Sequence, residues 1–302
     1  MKTSKTLVVI SCLIALLALL AAGTGVLYRG EGASYEATSL RGEKVMIYGH
    51  GLYRYDPASM AAQGISQDIV TLIVGIPLLL ISLRLYRQGR LRGQLLLSGT
   101  LAYFLYTYTS MAFGAAFNPL FLVYVAIFSL SLFAFIIAML SVDVRALPAH
   151  FTEKLPRRAI SSFLFAGGGF LLLAWLGRIV PGMSGGVPVG LLTNTTLFIQ
   201  VMDLGLIVPL MALAGILLLR RAPLGYLLSS VALIKFMTMG IALVAMIAGQ
   251  LVAGDVVPMA EATIFIIMAI AGITMAFVLL RDLRDTAVPQ AAGAASFAAN
   301  AR

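Results

Sequence analysis

Residues 195–251 read TTLFIQVMDLGLIVPLMALAGILLLRRAPLGYLLSSVALIKFMTMGIALVAMIAGQL. Two apolar runs lie on either side of the short link Arg220, Arg221, Ala222 and Pro223. Each run is long enough to cross about 30 Å of hydrocarbon as a helix that rises about 1.5 Å per residue. Because the link is so short, we expect two antiparallel neighbouring membrane helices.

The composition of the whole chain agrees with this local reading. Of its 302 residues, 61% are apolar and 11% are charged, and the mean hydropathy is +1.00. Soluble domains contain about 45 to 50% apolar and about 25% charged residues. The chain is therefore expected to be an integral membrane protein. Its single cysteine, Cys12, has no partner for an internal disulfide.

Apolar runs of about 20 residues predict eight transmembrane helices and an all-α membrane fold. The predicted spans are residues 6–27, 66–86, 94–117, 119–142, 159–180, 195–219, 224–251 and 259–280.

The distribution of Lys and Arg predicts the orientation, since the cytoplasmic side of a membrane protein retains these residues. Of 21 such residues, 15 lie on the side of the amino terminus, five lie on the other side, and Lys235 falls within a span. We therefore expect a multi-pass plasma membrane protein with both termini in the cytoplasm. The net charge of +9 is then explained by loops beside membrane lipid, and no nucleic acid partner is expected.

The first span has two interpretations. Lys2 and Lys5 followed by an apolar run and small residues fit a cleavable signal peptide. The apolar stretch continues to Leu27, which is longer than a usual signal sequence and favours an uncleaved anchor. Residues 28–65 follow as an external segment that is too short to bury a core of its own. We expect this segment to pack on the helices as a lid.

A shift of 132 residues aligns parts of the sequence with each other. It superposes Pro77 on Pro209 and Gly93 on Gly225, together with many leucines. This suggests two four-helix halves in parallel orientation, at residues 1–143 and 159–285, joined by a cytoplasmic linker at 144–158. The alternative is a chance alignment of two proline-containing apolar helices. Residues 286–302 are expected to form a disordered tail.

Asp203 and Lys235 are expected at nearly the same depth in the bilayer, on neighbouring helices. A lone charge at this depth costs at least about 2.5 to 3.5 kcal/mol, so each must be compensated. Two interpretations stay open: a polar cavity for an ion or solute, or a structural salt bridge between two helices.

Other polar residues cluster around this level, and we include them in a candidate substrate-binding site. Tyr103 and Thr107 belong to a polar stripe on the third predicted helix, and Thr71 aligns with Asp203 under the proposed repeat, as Tyr103 does with Lys235. Gln200 lies near the outer mouth of the site. Pro77 and Pro209 interrupt their helices nearby, a feature that marks binding sites in transporters but also occurs in ordinary membrane helices.

No motif predicts catalysis, a metal or a cofactor. The Gly182, Met183, Ser184, Gly185, Gly186 stretch matches the nucleophile-elbow pattern but lacks the required strand and histidine base. It is also similar to a turn of polyprenyl-phosphate translocases. His50 and His150 fall on opposite sides of the predicted membrane and cannot form one metal site. We expect the protein not to be an enzyme.

The segment Trp175-Leu-Gly-Arg-Ile-Val-Pro181, followed by Asp203, Pro209 and the Arg220-Arg221 turn, resembles a set of prokaryotic multi-pass membrane proteins that have no assigned activity. The resemblance implies a helical membrane fold and supplies no function. From the charged site we expect a transporter or channel-like permease for a small ion or polar solute. The alternative is a non-catalytic membrane sensor or assembly factor that binds a membrane protein partner through the external segment.

Overall fold

The computed structural model describes residues 3–255 and 257–285. The predicted disordered tail at 286–302 lies outside the described residues. The described helices are α1 (Lys5–Leu27), α2 (Ala58–Val70), α3 (Ile76–Arg87), α4 (Leu91–Gly114), α5 (Phe121–Leu140), α6 (Arg157–Met183), α7 (Phe198–Met202), α8 (Val208–Leu219), α9 (Pro223–Val252) and α10 (Met259–Arg281). A short π turn joins α2 to α3 at Thr71–Gly75, and another joins α7 to α8 at Asp203–Ile207.

Seven continuous helical segments are long and apolar enough to cross a membrane, in the part of the chain that the structure describes. The chain is therefore a predominantly helical, multi-pass membrane protein. The remaining predicted span falls on α4, which has 24 residues but carries many Tyr, Thr and Ser side chains. Most of α4 is buried among other helices, and this position accommodates its polar side chains.

The external segment contains a β-hairpin that the sequence analysis did not predict. Strands β1 (Tyr35–Thr38) and β2 (Lys44–Ile47) pair antiparallel, and Gly42 adopts a φ of 84° in the turn. The second membrane helix also begins earlier than predicted, at Ala58 rather than near residue 66. Its first two turns are only moderately apolar, so hydropathy alone places its start too late.

The helices pack around α4 and α9, which contact each other. Each has the same kinds of neighbours: α4 packs on α3 and α5, and α9 packs on α8 and α10. The contact between α1 and α5 has a counterpart in the contact between α6 and α10. The contact between α2 and α9 has a counterpart in the contact between α7 and α4. The contacts therefore occur in corresponding pairs.

The boundaries of several helices also differ by the same number of residues. The π turns begin at Thr71 and Asp203, α3 and α8 begin at Ile76 and Val208, and their successors begin at Leu91 and Pro223. Each of these pairs is 132 residues apart, which is the shift found in the sequence.

The two ends of the helix bundle differ in charge. The end that includes Lys5, Arg87, Arg157, Arg221 and Arg281 is called the basic end below. The opposite end, which bears β1 and β2, is called the hairpin end. Leu52 and Tyr53 of the external segment are buried against Ala61 at the hairpin end.

Candidate functional site

Each of the two π turns stands directly before a proline. A proline lacks the N–H that would bond the carbonyl four residues earlier, and its ring clashes with that carbonyl. The backbone widens instead: the N–H of Ile76 bonds the carbonyl of Thr71, and the N–H of Val208 bonds that of Asp203. Such π turns occur frequently at functional sites. Thr71 and Asp203 thus hold the same backbone position in their helices.

The first π turn faces a cluster of neutral polar side chains, which we call the tyrosine cluster: Gln67, Thr71, Tyr103 and Thr107. The Tyr103 hydroxyl lies 2.6 Å from Nε2 of Gln67 and 2.9 Å from Oγ1 of Thr71. Nε2 of Gln67 also donates to Thr107 at 3.3 Å. All four side chains are buried, and Oε1 of Gln67 has no hydrogen-bond partner among the residues that the structure describes.

The second π turn carries Asp203, which is 5% exposed. Its two carboxylate oxygens accept hydrogen bonds from two different helices. The Tyr106 hydroxyl of α4 donates to one at 2.8 Å, and Nε1 of Trp175 of α6 donates to the other at 2.9 Å. Both donors are neutral, so they orient the carboxylate without cancelling its charge.

Lys235 reaches the same place from α9. Its ammonium lies 3.8 Å from the centre of the Tyr106 ring, in a cation–π contact. Lys235 is 9% exposed, and within residues 3–255 and 257–285 its ammonium forms no hydrogen bond or ion pair. No acceptor among those residues takes up its three donors. Asp203 and Lys235 contact the hydroxyl and the face of one tyrosine, and Tyr106 occupies the position where a direct salt bridge would otherwise form.

The remaining predicted residue, Gln200, is buried on α7, one turn before Asp203. Thr71, Tyr103 and Thr107 come together in the tyrosine cluster, whereas Asp203 and Lys235 meet at Tyr106. The sequence reasoning did not assign Tyr106 or Trp175 to the site. Tyr106 stands three residues after Tyr103 and so lies on an adjacent part of α4, and Trp175 is the one tryptophan of the chain.

Another buried acidic residue lies nearer the hairpin end. Asp68 of α2 is 4% exposed and accepts a hydrogen bond from the Tyr53 hydroxyl at 2.5 Å. A Cβ atom at Gly25 of α1 would collide with the same carboxylate, so a larger residue there would have to displace it. The hydrogen bond from Tyr53 to Asp68 thereby attaches the external segment to α2, at a point where Gly25 of α1 packs against the carboxylate.

Two concave regions lie elsewhere on the molecule. One is an apolar groove of about 510 Å³ between α2 and α9, under Tyr48 of the external segment. The other is a basic pocket of about 420 Å³ between the start of α6 and the end of α8. Neither is lined by Asp203 or Lys235.

Ser184 is the cap residue directly after α6, a helix that continues through Pro181 to Met183. The glycine-rich stretch around it therefore does not stand between a strand and a helix, as a nucleophile elbow requires. Among the described residues, no group of three or more His, Cys, Asp and Glu side chains is arranged to hold a metal ion.

Comparisons with protein-family models, with curated proteins and with solved structures give no match to this chain.

Proposed function

We propose that the chain is a transporter or channel-like permease for a small ion or a polar solute. Its binding site is formed by Asp203, Tyr106 and Lys235, beside the tyrosine cluster. The observation that carries the proposal is the pair of π turns, 132 residues apart, that begin at Thr71 and Asp203. Helices interrupted at corresponding places in two halves of a membrane protein indicate a transporter binding site.

The charges at the site support the same conclusion. Buried ionisable side chains within a membrane bundle are expensive, and they commonly mark ion or solute pathways. A purely structural clamp would gain most from direct contact between Asp203 and Lys235. Here the Tyr106 ring separates them, and no acceptor among the described residues takes up the three donors of the ammonium. A solute that brings hydrogen-bond acceptors would satisfy these donors.

The proposed architecture has eight spans: the seven apolar helices and α4, which is less apolar than they are. The two four-helix halves are related by an axis along the membrane normal, so the corresponding helices run in the same direction. The basic end faces the cytoplasm, where Lys and Arg are retained, and the hairpin end faces outward. In this arrangement the external segment covers the outer approach to the site.

The test measures binding to the purified protein in detergent. A panel of ions and metabolites is screened for a rise in melting temperature and for a change in the fluorescence of Trp175, which donates to Asp203. A ligand that binds only the folded state, present at a concentration of about 100 times its Kd, stabilises the folded protein by about 2.7 kcal/mol. We expect at least one solute to act on the wild type and not on Asp203→Asn or Lys235→Met.

Asp143→Asn is the matched control, because Asp143 is exposed on the loop after α5. It should respond to the solute as the wild type does. Uptake of the same solute into vesicles that contain the protein then measures transport. A panel without any stabilising solute, or a solute that still acts on Asp203→Asn, would contradict the proposed site.

One observation favours the alternative role as a membrane sensor or assembly factor. The external segment exposes apolar side chains, with Leu40 87% and Met46 52% exposed. A membrane protein partner would cover them. In that case no solute in the panel acts on the wild type, and the double change Leu40→Ser and Met46→Ser reduces the amount of a co-purifying membrane protein.

A further inference from the structure

The basic pocket lies at the basic end, where the start of α6 meets the turn after α8. Its volume is about 420 Å³, which is large enough for a small anionic group. The lining residues are Leu155, Pro156, Arg157, Arg158, Leu219 and Arg221. Three of the six carry guanidinium groups, and the rest are apolar or proline.

No acidic side chain in the described part of the chain neutralises the positive charges of this pocket. Among residues 3–255 and 257–285, none of Arg157, Arg158 and Arg221 forms an ion pair with an acidic side chain. The side chain of Arg157 donates one long hydrogen bond, 3.5 Å, to the Tyr226 hydroxyl. Three like charges around one cavity repel each other, so an anion in the pocket would relieve that repulsion.

The backbone of Arg221 adds an independent observation. Arg221 follows the last turn of α8 with a φ of 55°, in the left-handed region. A non-glycine residue there costs roughly 1 to 2 kcal/mol, which is why glycine is usual at this position of a helix end. Only two described residues other than glycine have a positive φ, and Arg221 is one of them.

The corresponding turn after α3 shows what the position normally holds. Gly89 stands there with a φ of 73°. Its N–H bonds the Tyr86 carbonyl at 2.9 Å, as the N–H of Arg221 bonds the Leu218 carbonyl at 3.0 Å. The two turns therefore have one geometry, and a glycine would fit both without strain. In the second turn a guanidinium is placed at the pocket in spite of the backbone cost.

We propose that this pocket binds a phosphate group, carried by the headgroup of an anionic membrane lipid. Guanidinium groups bind phosphate through paired hydrogen bonds, and several of them around one cavity suit the charged free oxygens of a phosphate group. The basic end lies at the membrane surface, where basic pockets between helices take lipid headgroups. A free phosphate presents the same chemistry, and the experiment separates the two sources.

The test uses Arg221→Gly, which reproduces the residue of the first turn. The full chain is reconstituted in nanodiscs of phosphatidylcholine alone or with phosphatidylglycerol, and in a parallel arm it receives inorganic phosphate in detergent. The melting temperature is measured in each case. In phosphatidylcholine we expect Arg221→Gly to be at least as stable as the wild type, because the backbone strain is removed.

With phosphatidylglycerol we expect the wild type to be stabilised and Arg221→Gly to lose most of that gain. The apparent affinity for the anionic lipid should fall roughly tenfold or more, as expected when a charged hydrogen-bonding group is lost. Arg158→Gln should lose a similar part of the response. Arg87→Ala is the control of equal charge, since Arg87 is exposed at the end of α3 outside the pocket, and it should respond as the wild type does.

Stabilisation by phosphatidylglycerol that depends on Arg221 supports the lipid site. Stabilisation by inorganic phosphate alone, also dependent on Arg221, supports a phosphate site and overturns its assignment to lipid. An equal response of wild type and Arg221→Gly overturns the site altogether. An equal loss in Arg87→Ala also overturns it, because the effect is then one of diffuse charge at the membrane surface.

Discussion

Asp56 fastens the external segment to the helix bundle with one carboxylate oxygen. Oδ1 accepts a hydrogen bond from the N–H of Ala116 at 2.8 Å, whereas Oδ2 is buried and has no hydrogen-bond partner within residues 3–255 and 257–285. Burial disfavours the charged form and raises the pKa of Asp56 to about 6, and the hydrogen bond from Ala116 offsets part of this. An ionised Asp56 therefore costs folding free energy.

The pH dependence of stability follows from this shift. The unfolded carboxyl titrates near 3.8 and the folded one near 6, so the protein binds more protons when folded. The contribution of protonated Asp56 to the free energy of unfolding is fully present below pH 3.8 and is lost as the pH rises through about 6. The total loss is about 3 kcal/mol. We expect Asp56→Asn to remove this loss between pH 4 and 7 in thermal unfolding curves. Asp143→Asn, on an exposed loop, should keep the pH dependence of stability that the wild type shows. If Asp56→Asn shows the same pH dependence as the wild type, the loss of stability does not come from Asp56.

Gly25 of α1 lies where a larger side chain would not fit without a shift of its neighbours. A Cβ atom there would collide with the Asp68 carboxylate, which is held by Tyr53. Gly25→Ala should therefore destabilise the protein by about 1 to 3 kcal/mol, measured by thermal unfolding. Gly23→Ala is the matched control on the same helix and should change stability little, because no atom of another part of the described structure lies within 4 Å of the added methyl group. Equal effects of the two would mean that α1 does not pack on Asp68.

At the scale of elements, the π turns determine where the side chains of Thr71 and Asp203 point. Pro209 stands after the turn that begins at Asp203, and the widened backbone directs that carboxylate to Tyr106 and Trp175. The same backbone form at Thr71 presents a hydroxyl to Tyr103. The same π turn thus presents an acidic side chain at Asp203 and a neutral one at Thr71.

Pro209→Ala tests this account of the second turn. The new N–H can bond the carbonyl of Gly205, so the helix can return to α geometry and rotate Asp203 away from its partners. We expect the emission of Trp175 to shift to shorter wavelength, since the indole loses a charged acceptor. Pro77→Ala changes the corresponding turn beside Tyr103 and should leave the spectrum unchanged. Identical spectra for Pro209→Ala and the wild type would show that the turn does not position Asp203.

At the scale of the whole molecule, two equivalent close contacts repeat across the proposed halves. A Cβ atom at Gly93 would stand 2.3 Å from the backbone of Tyr86, and one at Gly225 would stand 2.4 Å from that of Leu217. Each glycine lets a helix start directly against the end of the preceding one. The two turns are built alike, and we interpret this as a duplicated unit.

Gly93→Ala and Gly225→Ala should consequently have similar costs. Forcing a methyl group against the backbone destabilises a packed site by about 1 to 3 kcal/mol, and sometimes more. Gly169→Ala is the control, because its added methyl group has no neighbour within 4 Å among the described residues outside the adjacent helix backbone. Thermal unfolding in detergent measures all three variants. A large cost at only one of the two turns would argue against equivalent halves.

The sequence alone was enough to predict a helical membrane protein and the 132-residue offset. Both depend on local properties: the length of apolar runs, and the spacing of Pro77, Pro209, Gly93 and Gly225 along the chain. It also indicated that Asp203 and Lys235 approach each other, because a short link makes their helices neighbours and the rise per residue gives their depth. The hairpin and the early start of α2 were missed, since moderately polar segments give no clear hydropathy signal.

Only the tertiary structure decided what lies between those two charges. Tyr106 is 97 residues before Asp203, and its place between the carboxylate and the ammonium depends on how α4 is rotated against α8 and α9. Depth along a helix follows from counting residues, but the direction of a side chain around the helix depends on packing with every neighbour. For the same reason, the contact of Tyr53 with Asp68 and the strained backbone of Arg221 at the basic pocket were visible only in the folded chain.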